Sequence, residues 1–224
     1  KQVPSLRENL KSAGVDVDPR VERLYYEFGK KATGFTPSQW DLHAIGITDI
    51  ETGKTTPQAK KYIYANNSGY LGKYQLRGDW WYSTLLSRVR KDYNLQDIIP
   101  EGDIDYNQGV PKKYQRAKYK SEKRLSYKKF NSLFVEKDMW QIQELLWAAM
   151  QATNPSATKG LSQRDKSGFL AISHNLGHRT AMLWRDAKLA YKRTEDPKYL
   201  MFMWSMQDGN HFPGEKFLRN IKLF

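Results

Sequence analysis

Apolar residues recur at helical spacing along most of this chain, and local start and stop signals cut the pattern into separate helices. Thr36-Pro37-Ser38-Gln39 supplies a capping residue, a proline at the first helical position and a glutamine three residues after the cap. Trp40, Ala44 and Ile47 then share one face, and Gly53 is a natural stop after Glu51. Asp18-Pro19 opens a second such helix, on which Val21, Leu24, Tyr25 and Phe28 repeat before Gly29. Further helices are predicted over 79–92, 136–153, 167–191 and 196–206. Residues 55–76 break the pattern. Tyr62-Ile63-Tyr64 suits a short strand, Asn66-Asn67-Ser68-Gly69 a turn, and Tyr70 to Leu76 a returning segment. The expectation is a mainly α (α+β) chain with one small β-hairpin. Residues 1–35 read as an N-terminal helical extension or linker from an upstream region, and 36–224 as the main domain.

No cysteine is present, so disulfides, thiol catalysis and thiolate metal sites are excluded. No apolar run approaches the roughly 18–20 residues of a membrane span, and no membrane partner is expected. Lys and Arg number 37 against 24 Asp and Glu, a formal charge of +13, which predicts a polyanionic partner. Residues 112–129 concentrate that charge: nine Lys or Arg, a single acid (Glu122), and Tyr114, Tyr119 and Tyr127. Such a stretch serves either as a surface that grips an anionic polymer or as a solvated helix face or insertion. Lys1 in place of an initiator methionine reads as a fragment or processed domain of a longer protein.

Three segments carry the residues of chemical interest. A helix ends on Thr48-Asp49-Ile50-Glu51-Thr52-Gly53, a Gly69-Tyr70-Leu71-Gly72-Lys73-Tyr74-Gln75 segment follows, and a late helix reads Ser167-Gly168-Phe169-Leu170-Ala171-Ile172-Ser173-His174-Asn175-Leu176-Gly177. A carboxylate at a helix C-terminus meets the negative end of the macrodipole and unpaired carbonyls, which disfavour its charged form. A protonated carboxylic acid near neutral pH is what cleavage of a glycosidic bond needs, because the leaving oxygen must be protonated. By position alone, Glu51 reads as an ordinary solvated helix end before it reads as an acid catalyst.

Taken together in this order, the segments resemble the lysozyme-like peptidoglycan hydrolase domains of type VI secretion effectors and phage tail-associated lysins. The resemblance rests on Glu51-Thr52-Gly53, Gly69 to Gln75, Ser167 to Gly177, Gln143-Glu144 within an intervening helix, and Asp208-Gly209-Asn210 with 217–224 at the end. It spans roughly 40–224, with a basic insertion near 101–130. It implies a lysozyme-like helical domain with a β-hairpin beside a catalytic cleft, and cleavage of the MurNAc–GlcNAc backbone of peptidoglycan. Glu51 would be the general acid, with Gly69, Tyr70, Tyr74, Gln75 and His174 as substrate-binding residues. Gln75 can donate to and accept from an N-acetyl group, and Tyr74 would offer its ring to a sugar. No cofactor and no metal are implied.

No second carboxylate stands out; Asp79, Asp103 and Asp105 are candidates, and Asp49 points elsewhere on the helix. A separation of about 5–5.5 Å from Glu51 would give retention and about 6.5–9.5 Å inversion. Without a second acid, the substrate's acetamido group or a lytic transglycosylase route would complete the reaction. His174 and His178 stand at i and i+4, a metal-binding spacing on a helix, although no His-Glu-x-x-His pattern and no third ligand accompany them. A packed His174 at the cleft floor is the other option. The expected partners are peptidoglycan glycan strands, a neutralising immunity protein and a secretion apparatus or upstream domain, with action in the periplasm of a target bacterium. A nucleic-acid-binding protein or nuclease toxin using 112–129 is the alternative; it leaves Glu51 and the Gly69–Gln75 segment without a role.

Overall fold

In the computed structural model, residues 3–66, 70–76, 85–100, 104–105, 125–126 and 132–205 are described. They are mainly helical. In order, the helices are α1 (Leu6–Ser12), α2 (Pro19–Thr33), α3 (Pro37–Thr52), α4 (Gln58–Tyr62), α5 (Ser87–Asp92), α6 (Trp140–Gln151), α7 (Gln163–Leu176), α8 (His178–Thr194) and α9 (Pro197–Ser205). Two-residue strands β1 (Ile104–Asp105) and β2 (Leu125–Ser126) pair in parallel inside the basic 101–130 segment.

The capping signals act where the sequence sets them. The Gln39 side chain accepts from the Thr36 N–H at 3.0 Å and Thr36 Oγ1 accepts from the Gln39 N–H at 3.3 Å, and Asp18 Oδ1 accepts from the Arg20 N–H at 2.8 Å. Gly29 does not stop α2. It lies inside the helix because the Trp40 ring packs on it, and a Cβ there would come within 2.4 Å of the ring. The expected helix over 167–191 is two helices. Gly177 separates α7 from α8 with φ +87° and ψ 159°, a conformation open to glycine and closed to residues with a Cβ.

The predicted hairpin over 62–76 does not form as two strands. Tyr62 ends α4, and the chain then returns through isolated antiparallel bridges, Ala65 with Leu71 and Leu71 with Leu76. Lys61 and Tyr62 are held as a helical turn because both buried side chains have polar partners, Asp49 and Glu144, and that outweighs the strand preference of Tyr-Ile-Tyr. Of the predicted 79–92 helix, Ser87–Asp92 is present and 79–84 lie outside the described residues, as do Gly69, Asp79, Asp103, Asp208 to Asn210 and nearly all of 112–129.

Two compact units make up the chain, with boundaries inside α2, α3 and α6. The first comprises 3–27 and 48–150 as far as described, and the second 28–47 and 151–205. The first unit is built around α6, whose Trp147 is stacked on Tyr74 and lies against Tyr25 of α2. Leu6 and Leu10 of α1 and Val21 and Leu24 of α2 are buried in this core, so the N-terminal helices are integral to it. In the second unit α8 packs on both α7 and α9, and Trp40, Phe169 and Trp184 are the large buried residues.

Candidate functional site

Glu51 stands half-buried in the last turn of α3, where the helix ends by local bonding. Thr52 Oγ1 donates to the Thr48 carbonyl at 2.7 Å, Thr56 Oγ1 donates to the Thr52 carbonyl at 2.6 Å, and Gly53 turns the chain at φ +90°. The Thr56 hydroxyl takes up a carbonyl that the helix end leaves open, while the Thr52 hydroxyl bonds back one turn to a carbonyl already in the helix. Two residues before Glu51, Asp49 Oδ1 accepts from Lys61 Nζ at 2.7 Å, which fastens α4 to the end of α3.

The next residue on α4, Tyr62, begins a buried polar cluster. Its hydroxyl donates to Glu144 Oε1 at 2.5 Å, Lys73 Nζ donates to the same oxygen at 2.6 Å, and the Tyr74 hydroxyl donates to Glu144 Oε2 at 2.5 Å. Glu144 is 0% exposed. An isolated carboxylate there would be costly, and three donors, one of them the Lys73 ammonium, make it tolerable. Burial first, and then the negative charge of Glu144, hold both phenols well above their ordinary pKa, so they remain donors. Trp140 and Trp147, four residues before and three after Glu144, stack on the same two tyrosines: Trp140 on Tyr62 at 5.1 Å and 8°, Trp147 on Tyr74 at 4.3 Å and 6°.

Gln143 holds the main chain of the same segment. Its Nε2 donates to the carbonyls of Tyr62 at 2.9 Å and Phe134 at 2.7 Å, while its Oε1 accepts from the Lys73 N–H at 3.0 Å. The approach requires Gly72: at φ +75°, a Cβ there would lie 2.3 Å from Gln143 Oε1. Gln75 follows with φ +49°, and its Nε2 donates to the Gly72 and Tyr64 carbonyls at 2.9 and 3.2 Å.

One expected role is corrected by this geometry. Tyr74 does not offer a ring to a sugar. It is 1% exposed, with one face on Trp147 and its hydroxyl spent on Glu144. The exposed rings nearby are Tyr64 at 44% and Tyr70 at 38%. They sit on the short pairing in which the Gly72 N–H donates to the Tyr64 carbonyl at 2.7 Å and the Asn66 N–H to the Tyr70 carbonyl at 3.1 Å. Residues 64, 66 and 70 therefore share one side of the ribbon. Gln75 is buried, with its Oε1 away from any donor among the described residues.

His174 belongs to the second unit, half-buried near the end of α7. The break at Gly177 places His174 and His178 on different helices, so the i, i+4 metal geometry does not hold between them. Among the described residues no group of three or more His, Cys, Asp or Glu gathers in a metal-binding arrangement. In the same unit His43 Nδ1 and Ser167 Oγ share a 2.6 Å hydrogen bond, with Trp40 stacked on the imidazole at 5.5 Å. Burial, and then repulsion from His174, lower the His43 pKa to about 3. Unfolded, His43 binds a proton below about pH 6.5, whereas folded it resists protonation until about pH 3. Its contribution to stability is therefore complete above pH 6.5 and is lost as pH falls, by about 1.4 kcal/mol per unit between those values. Histidine resonances followed by NMR should show His43 neutral at pH 5, with urea unfolding easier at pH 5 than at pH 7.

Lys73, Glu144 and His43 carry no assigned role in the sequence reading. Glu144 had a signal: it lies at i+4 from Trp140 and three before Trp147, on the apolar face of a helix, and an acid there must find a buried partner. No protein-family model matches the chain, and no match is found among curated proteins or solved structures.

Proposed function

We propose that this chain is a muramidase, a glycosidase cleaving the MurNAc–GlcNAc backbone of peptidoglycan, with Glu51 as general acid. The observation that carries the proposal is the joining, within one unit, of the Glu51, Gly72–Gln75 and Gln143-Glu144 segments of the resemblance. Asp49, two residues before Glu51, holds Lys61, the adjoining Tyr62 holds Glu144, and Glu144 holds Lys73 and Tyr74 of the Gly72–Gln75 turn. Segments far apart in sequence thus meet through two polar groups joined at Lys61-Tyr62, as parts of a single working site would. The net charge of +13 suits retention on an anionic wall. By the same resemblance, the protein acts as an antibacterial effector in the periplasm of a target cell, restrained in the producer by an immunity protein.

Mass spectrometry of soluble products from purified peptidoglycan tests the reaction. Reducing-end disaccharide–peptides are the expected products; 1,6-anhydro ends would assign a lytic transglycosylase instead, and no release at all would remove the enzyme.

Tyr64 and Tyr70 take the sugar-stacking role in place of Tyr74, since theirs are the rings open to solvent. Replacing either with alanine should raise KM about three- to tenfold with kcat nearly constant, the signature of binding shared by ground and transition states. Unchanged KM in both variants would remove the platform.

A further inference from the structure

We infer that Gln143 and Glu144 are positioning residues for the proposed reaction: through Tyr62, Lys73 and Tyr74 they set both the Gly72–Gln75 turn and the end of α3 that carries Glu51. This rests on the muramidase proposal for the reaction, while the latch itself is a matter of geometry.

The two residues hold the same short segment by different means. Gln143 takes its main chain, accepting from the Lys73 N–H and donating to the Tyr62 carbonyl. Glu144 takes the side chains of Tyr62, Lys73 and Tyr74. Each tyrosine is held twice, its hydroxyl by Glu144 and its ring face by a tryptophan one turn away on α6. The Lys73 ammonium also lies 5.0 Å from the Tyr62 ring centroid and 5.7 Å from that of Tyr74. A ring pinned at its face and its tip cannot slide, so α6 acts as a fixed reference for what these residues carry.

What they carry is the candidate site. Lys73 and Tyr74 are followed by Gln75, whose unusual backbone and side chain are both tied to Gly72: the Gln75 N–H donates to the Gly72 carbonyl at 3.1 Å, and its Nε2 to the same carbonyl. Tyr62 is preceded by Lys61, which holds Asp49 on the turn that bears Glu51. Loosening Glu144 therefore releases two places at once. Apolar side chains would pack α4 and the turn onto α6 without the desolvation of two charges, so a buried ion pair here gains its advantage from directional placement. That is what a substrate-binding turn and a general acid require, since small misplacements at a reacting centre reduce rate steeply.

The test compares Lys73→Met, which strands the buried carboxylate, with Lys73→Met/Glu144→Gln, which removes both charges and leaves an acceptor for one phenol. The expected result is that the double variant recovers most of the melting temperature lost by the single one. It should still show at least about tenfold faster amide exchange, by mass spectrometry, in peptides covering both 48–53 and 71–76, together with a KM raised at least about fivefold or kcat lowered at least about tenfold on peptidoglycan. Full recovery of exchange and kinetics in the double variant would overturn the inference and leave the pair as fold stabilisation. Faster exchange at 71–76 alone would overturn its reach to Glu51. If the unsubstituted protein releases nothing from peptidoglycan, the muramidase proposal falls and the catalytic part of this one with it. The exchange data then stand by themselves for or against the latch.

Discussion

Glu51→Gln is expected to lower the release of disaccharide–peptides from purified peptidoglycan by about 10²- to 10⁴-fold, the usual contribution of a positioned general acid. The substitution keeps the shape of the side chain and its capacity for hydrogen bonding but removes the proton that the leaving oxygen needs. Its structural cost should be small. Glu51 is half-buried in the last turn of α3, and that turn is closed by the Thr52 and Thr56 hydroxyls and Gly53. Thermal unfolding should therefore change far less than activity, because glutamine keeps the shape of the side chain. Because the loss is confined to the chemical step, the variant should still sediment with insoluble peptidoglycan. Release of products at the original rate by the Glu51→Gln variant would remove Glu51 from catalysis.

Lys73→Met is expected to destabilise the first unit by about 3–5 kcal/mol, the cost of removing one partner of a buried pair. Glu144 would be left with two phenol donors and no balancing charge at a place water does not reach. Against a total stability of about 5–15 kcal/mol this is a large fraction, so the urea midpoint should fall sharply. Lys61→Met provides the contrast. Lys61 is as buried as Lys73, but its partner Asp49 is 25% exposed and can rehydrate when the ammonium is gone. The expected loss is therefore smaller than for Lys73→Met, of the order of 1–3 kcal/mol. Equal effects at the two lysines would mean that burial of the carboxylate is not what sets the cost.

Two helix starts were legible from local signals, whereas α1 was missed although Ser5 and Glu8 form a capping box at its start. The Thr36–Gln39 capping box and the Asp18 cap act within one turn, so neighbouring residues suffice to specify them. Gly29 and Tyr62 were misread because their conformations answer to distant residues. Trp40 needs the space a Cβ would fill at Gly29, and Glu144, 82 residues away, draws Tyr62 into a helical turn. The same holds for the candidate site. Glu51 could be singled out from its place at a helix end. That Tyr74 is a buried donor, and that Tyr64 and Tyr70 are the open rings, follows from contacts 70 residues apart between the turn and α6.

By itself, then, the sequence determined a mainly helical chain, the starts of α2 and α3, and a fold held without disulfides, because composition and short-range capping act locally. Tertiary structure alone decided which side chains are spent on Glu144 and which face solvent. A buried charge accepts only donors that packing brings within about 3 Å, and no spacing along the chain reveals which donors those are.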